Sequence, residues 1–320
     1  MAGLSHCFHR RAVGSMSRVL AAAVVAAAIF DALPATAGES PFGYVYTTDT
    51  HPRGQLEFEQ WATLRTGKPH GDYNLWQLRE EIEYGVTNNF QLSGYVNWLS
   101  VSAFRDKVDG TTGGAFVPES ADPNKRYSST RFDSVSLEGI YRLLSPYKDP
   151  IGLALYLEPS IGPDVREIET KLLLHKNFLE DRLVLASNFI VAWEWEHKSG
   201  DPTLDPSDPG ASPRWQKDLE LEFTAGATYQ VAQNWYAGLE FRNHNVFTGH
   251  SLNHQEFTSF FAGPTVHYTT EGWWATLTVL PQLPLAQAYN DDQKAALVHD
   301  RIYSDDHEQM EIRLRAGITF

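Results

Sequence analysis

Hydrophobic and polar residues alternate through most of the chain, which is the pattern of β-strands with one apolar and one polar face. The final run is the clearest example. One of its faces carries Met310, Ile312, Leu314, Ala316, Ile318 and Phe320, and the other carries Glu311, Arg313, Arg315 and Thr319. Comparable runs occur near residues 56–64, 76–84, 90–100, 131–143, 151–161, 167–176, 182–196, 216–229, 235–242, 257–268, 273–283 and 308–320. The pattern predicts twelve strands, an even number that lets both ends of a closed barrel lie on one side.

The connections between these runs alternate in length. Short ones span residues 85–89, 145–150, 177–181, 230–234 and 269–272, and longer ones span 66–72, 105–129, 197–214, 244–256 and 284–306. Short periplasmic turns alternating with longer external loops are typical of outer-membrane barrels, whereas a secreted soluble β-sandwich has no reason to separate loops by length. Only residues 162–164 are short where a long loop is due. We therefore predict an all-β fold: a transmembrane up-and-down antiparallel β-barrel of twelve strands with both termini in the periplasm.

Aromatic residues support the barrel, and one charged residue departs from the pattern. Eight tryptophans lie near predicted strand ends, where the aromatic girdles of a membrane barrel belong: Trp61, Trp98, Trp193, Trp195, Trp215, Trp235, Trp273 and Trp274. Glu80 falls on the otherwise apolar face of the second strand, which indicates either a β-bulge or a shifted register.

The first residues have the pattern of a secretory signal. Arg10, Arg11 and Arg18 precede the apolar stretch 19–30, and Ala35-Thr36-Ala37 is a small-x-small cleavage site. The stretch is too short to span a bilayer as a helix. We predict a signal peptide at 1–37, a segment at 38–54 that lies in the periplasm or in the lumen, and the barrel at 55–320. The cell outer membrane is the expected location.

Composition excludes several classes of function. The net charge of −14 becomes about −16 once the three Arg and one Asp of the predicted signal are removed, which argues against nucleic-acid binding. The only cysteine, Cys7, lies in the predicted signal, and a mature chain without thiols suits an oxidising compartment. No phosphate-binding glycine loop, CxxC pair or HExxH sequence is present, so we expect no cofactor.

Several stretches resemble a known type of protein. They are Phe42–Tyr46, Pro52–Gly54, Glu57–Trp61, Glu83–Leu92, Ala262–Tyr268 and Trp273–Leu277. Together they resemble a poorly characterised proteobacterial family of porin-like outer-membrane β-barrels. Phe320 resembles the C-terminal insertion signal of Gram-negative barrels. The resemblance implies a fold, outer-membrane lipid and lipopolysaccharide as surroundings, and the barrel assembly machinery as a partner of the last strand. It implies no active-site residue.

The luminal faces suggest the function. Seven carboxylates on the fifth to eighth strands form a predicted acidic cluster: Glu158, Glu167, Glu169, Glu194, Glu196, Glu220 and Glu222. A predicted basic wall faces them, made of Arg79, Arg313 and Arg315. Carboxylate clusters select cations and arginines favour anions, so we expect a small pore or solute-binding pathway that leans towards cations. The alternative is a closed structural or surface barrel whose Glu and Arg side chains pair across the lumen, with surface roles for loops 105–129 and 284–306.

An enzymatic alternative remains open. A barrel can carry a lipid hydrolase, and the candidate residues are Asn243, His244, Asn245, Ser251 and His254. A nucleophile needs its base within hydrogen-bond reach, and no strand spacing places these residues side by side. Loss of phospholipid turnover in Ser251→Ala would support this alternative. Metal binding by His244, His250 and His254 is similarly weak, because loop histidines are usually solvated.

Overall fold

Twelve strands, each hydrogen-bonded to its neighbours in sequence, close into one antiparallel barrel. The computed structural model describes residues 39–286, 297–298, 301–302 and 307–320, so the predicted signal and most of the loop predicted at 284–306 lie outside it. The barrel strands are β1 (Leu56–Thr66), β2 (Asp72–Thr87), β3 (Phe90–Phe104), β4 (Tyr127–Leu144), β5 (Gly152–Ile161), β6 (Val165–Phe178), β7 (Leu183–Lys198), β8 (Arg214–Ala232), β9 (Trp235–Thr248), β10 (Gln255–Thr269), β11 (Trp273–Leu283) and β14 (Met310–Thr319). The predicted fold is confirmed.

The seam of the barrel joins its first and last strands. β1 pairs with β14 from Glu57 opposite Thr319 to Thr66 opposite Met310, and β14 also pairs with β11. A short hairpin of β12 (Leu297–Val298) and β13 (Arg301–Ile302) lies in the chain between β11 and β14, apart from the barrel sheet. A 3₁₀ turn spans Pro209–Ala211. Within the described part of the chain, no helix is long and apolar enough to cross a membrane.

The outer surface of the barrel is apolar. Leu137, Leu239 and Leu314 are 57%, 65% and 44% exposed, and large hydrophobic side chains on the other strands are exposed in the same way. A closed wall with an apolar exterior needs lipid around it, which places the barrel in the outer membrane. The connections after β2, β4, β6, β8 and β10 are short and lie at one end of the barrel, called here the periplasmic end. The long loops lie at the other, external end, together with the short turn 162–164.

Glu80 faces outward with this apolar surface. The pairing of β1 with β2 is regular through Gln60 opposite Glu80, and the irregular step in β2 lies between Gly85 and Thr87. The prediction of a bulge or a register shift at Glu80 is therefore wrong. The indole of Trp98 donates a hydrogen bond to its carboxylate at 3.0 Å, which satisfies part of a charge placed on the outer face.

The N-terminal segment, residues 39–55, lies inside the lumen at the periplasmic end. Phe42 and Val45 are fully buried and pack against Val184 and Ala186 of β7. Tyr46 packs on a second luminal cluster, formed by Ile140, Ala154, Tyr156 and Leu173. The segment fills the periplasmic half of the barrel much as a hydrophobic core fills a soluble domain, because the wall presents apolar side chains to it.

The connection between β3 and β4 folds into the external mouth. Phe116 and Val117 pack on a buried luminal cluster of Tyr73, Leu75, Leu99, Val101 and Ala103. The hydroxyl of Tyr73 donates to the carbonyl of Ala115 at 2.7 Å. Glu119 pairs with Arg214 at 2.8 Å and ties the loop to the start of β8. The loop therefore narrows the mouth.

Two tryptophans predicted for the interfacial girdle lie in the lumen instead. Trp61 is 5% exposed and its indole donates to Glu59, and Trp274 is fully buried and donates to Glu57. The guanidinium of Arg315 lies 4.0 Å from the ring centroid of Trp61. For these two residues the girdle prediction is wrong, because the strand alternation, rather than their distance from a strand end, sets the direction of the side chain.

Candidate functional site

Two cavities lie one above the other along the barrel axis. The outer cavity, the vestibule, has a volume of about 1260 Å³ and opens at the external mouth. The inner cavity, the chamber, has a volume of about 270 Å³ and lies near mid-height. Tyr44 and Tyr46 of the N-terminal segment line the chamber and form its floor.

Strand β8 shows this order in successive luminal side chains. Asp218 and Glu220 line the vestibule, and Glu222 lines the chamber. Gly226 lies farther towards the periplasmic end, where a Cβ atom would be 2.5 Å from the ring of Phe42. The absence of a side chain at Gly226 therefore makes room for the N-terminal segment. A solute entering from outside would meet the vestibule, then the chamber, then this segment.

The predicted acidic cluster divides between the two cavities. Glu194, Glu196 and Glu220 line the vestibule. Glu158, Glu167, Glu169 and Glu222 line the chamber. The structure brings all seven side chains to the lumen, but at two levels rather than on one continuous wall.

The predicted basic wall is likewise divided. Arg79 and Arg313 line the chamber opposite the carboxylates. Arg315 lies below them, where it is 3% exposed, pairs with Glu59 at 3.0 Å and donates to the carbonyl of Phe42. Arg315 therefore holds the N-terminal segment and does not face the open chamber.

Two further cationic side chains line the chamber, Arg242 and Lys171, and neither belongs to the predicted basic wall. Arg242 bridges Glu222 at 2.6 Å and Glu311 at 2.8 Å. Lys171 pairs with Glu169 at 2.9 Å, and its ammonium lies 4.0 Å from the ring centroids of Tyr46 and Tyr156. Arg79 approaches Glu158 at 3.6 Å. Removing one partner of a buried pair of this kind costs about 3–5 kcal/mol, because the remaining charge stays desolvated.

The vestibule has the larger excess of negative charge. Eleven Asp or Glu side chains line it against six Lys or Arg side chains. Five carboxylates line the chamber against four cations, so the chamber is nearly balanced. The excess negative charge along the two cavities is therefore concentrated in the vestibule.

A chain of hydrogen bonds crosses the base of the vestibule. His244 contacts Glu220 at 2.9 Å through Nε2 and His307 at 2.6 Å through Nδ1. Arg65 contacts His307 at 2.8 Å and Glu308 at 2.8 Å. Burial lowers the pKa of His307 to about 3, so its ring is neutral at pH 7. Burial alone would raise the pKa of Glu308, but Arg65 and Lys68 outweigh it and hold that pKa below its usual range.

Wall side chains hold the N-terminal segment by its backbone. The carboxylate of Glu240 accepts the N–H groups of Gly43 at 2.8 Å and Tyr44 at 2.7 Å. Asn188 accepts the N–H of Tyr46 at 2.8 Å and donates to its carbonyl at 2.9 Å. Arg313 donates to the carbonyl of Gly43 at 3.1 Å. The segment is thus docked like an extra strand whose partners are side chains, which satisfies backbone groups that water cannot reach.

The three candidate hydrolase residues on β9 do not share a face of the strand. His244 points into the lumen towards Glu220 and His307, whereas Asn243 and Asn245 occupy the opposite face of β9 and bond to neighbouring strands. The suggested metal ligands are also separated, because His250 lies edge-on against Trp195, 4.6 Å between ring centroids, and contacts the carbonyl of Glu194. Strand alternation divides residues that the sequence places side by side.

The N-terminal docking site was not predicted, although the sequence carried a signal for it. Residues 151–157, 172–174 and 183–186 are continuous apolar runs rather than alternating ones. A strand that is apolar on both faces needs an apolar partner on its luminal side. These runs lie on β5, β6 and β7, where Phe42, Val45 and Tyr46 dock.

Comparison with known proteins agrees with this architecture. The model of a family described as "Family of unknown function (DUF6662)" matches residues 34–320. Among solved structures, the chain is similar to a COG4313 outer membrane channel from Pseudomonas putida F1, with a TM-score of 0.54 and 8% identity over 85% of this chain and 98% of that chain. At this identity the likeness shows the fold alone. A search of curated proteins finds no match.

Two porins are more distant. The NanC porin has a TM-score of 0.46 and 11% identity over 82% of this chain and 98% of that chain. The KdgM porin has a TM-score of 0.43 and 11% identity over 82% of this chain and 99% of that chain. The family match over residues 34–320 and the likeness to the outer membrane channel confirm the predicted resemblance to a poorly characterised porin-like barrel family.

Proposed function

This chain belongs to the DUF6662 family, and we propose that it forms a small solute pore in the outer membrane, with a lean towards cations. Its N-terminal segment acts as the gate at the periplasmic end. The observation that carries this proposal is the vertical order of vestibule, chamber and docked segment inside one closed barrel. A barrel with a purely structural role has no need of two polar cavities in line.

The proposed preference for cations comes from the charges of the vestibule, at the external mouth. Carboxylates outnumber Lys and Arg side chains in the vestibule, and Glu194, Glu196 and Glu220 lie in its wall. Their field raises the local concentration of cations before a solute reaches the chamber. The chamber adds opposed charges, with Glu158, Glu167 and Glu169 facing Arg79 and Arg313, and such a transverse arrangement orients solutes that carry both polar and charged groups.

The gate follows from the contacts of the N-terminal segment. Tyr44 and Tyr46 form the chamber floor. Side chains on β2, β3, β6, β7, β9 and β14 hold the segment by hydrogen bonds, and apolar packing adds to them. These contacts are separate from the strand ladder, so the segment can leave without breaking the barrel. Release would join the chamber to the periplasm.

Current through planar bilayers tests the proposal. In a KCl gradient, the purified protein should pass current whose reversal potential indicates cation preference. The triple variant Glu194→Gln, Glu196→Gln, Glu220→Gln should shift that potential towards zero, because it removes three vestibule charges without changing side-chain volume. The matched control is Glu80→Gln, which removes an outward-facing carboxylate and should leave the potential unchanged.

One result would contradict the pore: no current from either the parent protein or the Glu240→Ala variant, whose N-terminal segment has lost the Glu240 anchor. That result supports a closed structural barrel. Anion preference in the parent would instead contradict the preference for cations. Equal potentials in the parent and the triple variant would refute the selectivity mechanism while leaving the pore intact.

A further inference from the structure

The luminal wall behind the N-terminal segment carries a dense group of buried carboxylates. Glu57 and Glu59 of β1, Glu81 and Glu83 of β2 and Glu138 of β4 are each at most 5% exposed. Glu39 of the segment lies against them, 3.2 Å from His51, which in turn lies 2.7 Å from Glu83. Neighbouring strands place these side chains together, because Glu57 pairs with Glu83 and Glu59 pairs with Glu81 across β1 and β2. The group is separate from the acidic residues of the vestibule and the chamber.

Most of these carboxylates have protein donors. Trp274 and Thr319 donate to Glu57, and Trp61 and Arg315 donate to Glu59. Gln91 donates to Glu83 at 2.7 Å. Glu57, Glu59 and Glu83 are therefore fixed in position by the barrel itself.

Two carboxylate oxygens in the group have no such donor. Oε2 of Glu81 and Oε2 of Glu138 are buried and have no hydrogen-bond partner, and each of the two residues is only 1% exposed. Among the described residues, no Lys, Arg or His nitrogen lies within 4.0 Å of either carboxylate. A buried carboxylate oxygen without a donor is costly unless a proton or a cation binds it, so these two oxygens are open to a cation.

The geometry of three of these side chains fits a cation. Glu81, Glu83 and Glu138 each offer an oxygen, and these three oxygens lie within 4.8 Å of one another. Ca²⁺ binds oxygen ligands at about 2.3–2.6 Å, so two of its ligands can lie up to about 5 Å apart. Mg²⁺ demands near-ideal octahedral geometry, whereas Ca²⁺ accepts irregular geometry from carboxylates whose positions are fixed by the wall. An all-oxygen set held on neighbouring strands therefore suits a hard cation of the Ca²⁺ type.

We propose that Glu81, Glu83 and Glu138 bind a Ca²⁺-type divalent cation inside the barrel wall, beneath the N-terminal segment. Glu83 also joins a second group of close carboxylates with Glu59 and Glu39, and Glu39 belongs to the segment. The cation therefore stabilises the position of the segment through Glu83 and His51 as well as the wall. Binding itself does not depend on the pore; only its effect on the gate rests on the proposed function.

Terbium luminescence provides the test, with Tb³⁺ as a probe for a Ca²⁺ site. The protein is refolded in lipopolysaccharide-free detergent and treated with EDTA. Tyr95 lies opposite Glu81 in the β2–β3 pairing and can sensitise a nearby Tb³⁺. We expect saturable emission at about one Tb³⁺ per barrel, displaced by Ca²⁺ with a dissociation constant below about 1 mM.

Variants separate this site from the other acidic groups. Glu81→Gln with Glu138→Gln should abolish the emission, whereas the vestibule pair Glu194→Gln with Glu196→Gln should keep it. Emission that survives the first double variant overturns the proposal. Equilibrium dialysis of the EDTA-treated parent against radioactive Ca²⁺ gives a second measurement that needs no variant, and no retained Ca²⁺ above the buffer level would mean that the carboxylates share protons instead.

Discussion

Glu240→Ala should release the N-terminal segment from the lumen. The Glu240 carboxylate is 1% exposed and accepts two backbone N–H groups of the segment, from Gly43 and Tyr44, together with the hydroxyl of Thr278 at 2.7 Å. The N–H groups of Gly43 and Tyr44 would lose this acceptor in the variant. The strand ladder of β9 would stay intact, because Glu240 acts through its side chain.

The magnitude follows from the two backbone hydrogen bonds. A hydrogen bond to a charged group contributes about 1.5–3 kcal/mol, so losing both weakens docking by about 3–6 kcal/mol. At about 1.4 kcal/mol per factor of ten, the undocked population rises about 10²–10⁴-fold. Glu240→Gln keeps one side-chain oxygen that can accept one N–H, so its effect should be intermediate.

Cysteine labelling measures that population. The only cysteine lies in the predicted signal, so Thr47→Cys gives the mature chain a single thiol. Thr47 is 5% exposed, and its hydroxyl hydrogen-bonds only within the segment, to Asp49. The rate of maleimide labelling at position 47 should rise at least about 100-fold when Glu240→Ala is added. The control is Glu220→Ala, another luminal carboxylate, which lies in the vestibule wall away from the segment.

Equal labelling rates in the Thr47→Cys protein with and without Glu240→Ala would refute the reasoning. Such a result would mean that apolar packing of Phe42, Val45 and Tyr46 holds the segment without help from Glu240. A rise in both Glu240→Ala and Glu220→Ala would instead indicate general loosening of the barrel.

Two other changes have defined outcomes. Gly226→Val should also raise the labelling rate at position 47, because a Cβ atom there would lie 2.5 Å from Phe42. The control Gly94→Val should leave the rate unchanged, because its Cβ would have no neighbour within 4 Å. An unchanged rate in Gly226→Val would contradict the described position of Phe42. Acid should destabilise the barrel through His307, because its pKa of about 3 in the folded protein lies below its unfolded value of about 6.5. The stabilisation is complete above pH 6.5 and is lost as the pH falls towards 3, so the free energy of unfolding in urea should fall by about 2 kcal/mol between pH 7 and pH 5, above the range in which Glu308 titrates. His307→Gln should remove this loss, and the same pH dependence in His307→Gln would refute the assignment.

The strand plan of the barrel could be predicted from the sequence because each strand meets lipid on one side. The alternation of apolar and polar residues in β14 and the alternation of short and long loops depend on the membrane alone. Local sequence patterns are therefore sufficient to predict the strands. The luminal carboxylates were predicted for the same reason: a charge on the lipid face costs about 2–4 kcal/mol near the midplane, and Glu158 and Glu222 therefore face inward. Glu80 departs from this rule because Trp98 beside it supplies a donor.

The filling of the lumen could not be predicted in the same way. Docking of residues 39–55 depends on contacts between positions more than a hundred residues apart, such as Tyr46 with Asn188 and Gly43 with Glu240. Alternation indicates that Arg315 faces inward, but it does not show whether water or the chain's own backbone is its neighbour. The levels at which Glu194 and Glu222 lie also depend on strand stagger, which one sequence does not reveal.

The contacts of β14 with the N-terminal segment have a consequence for how the molecule is built. Arg313 and Arg315 donate to the carbonyls of Gly43 and Phe42, so the last strand of the described barrel holds the first residues of the described chain. These two contacts cannot form before β14 is in place, and β14 completes the barrel by pairing with β1. Closure of the wall is therefore a condition for complete docking of the segment, although the closed wall does not itself require the segment.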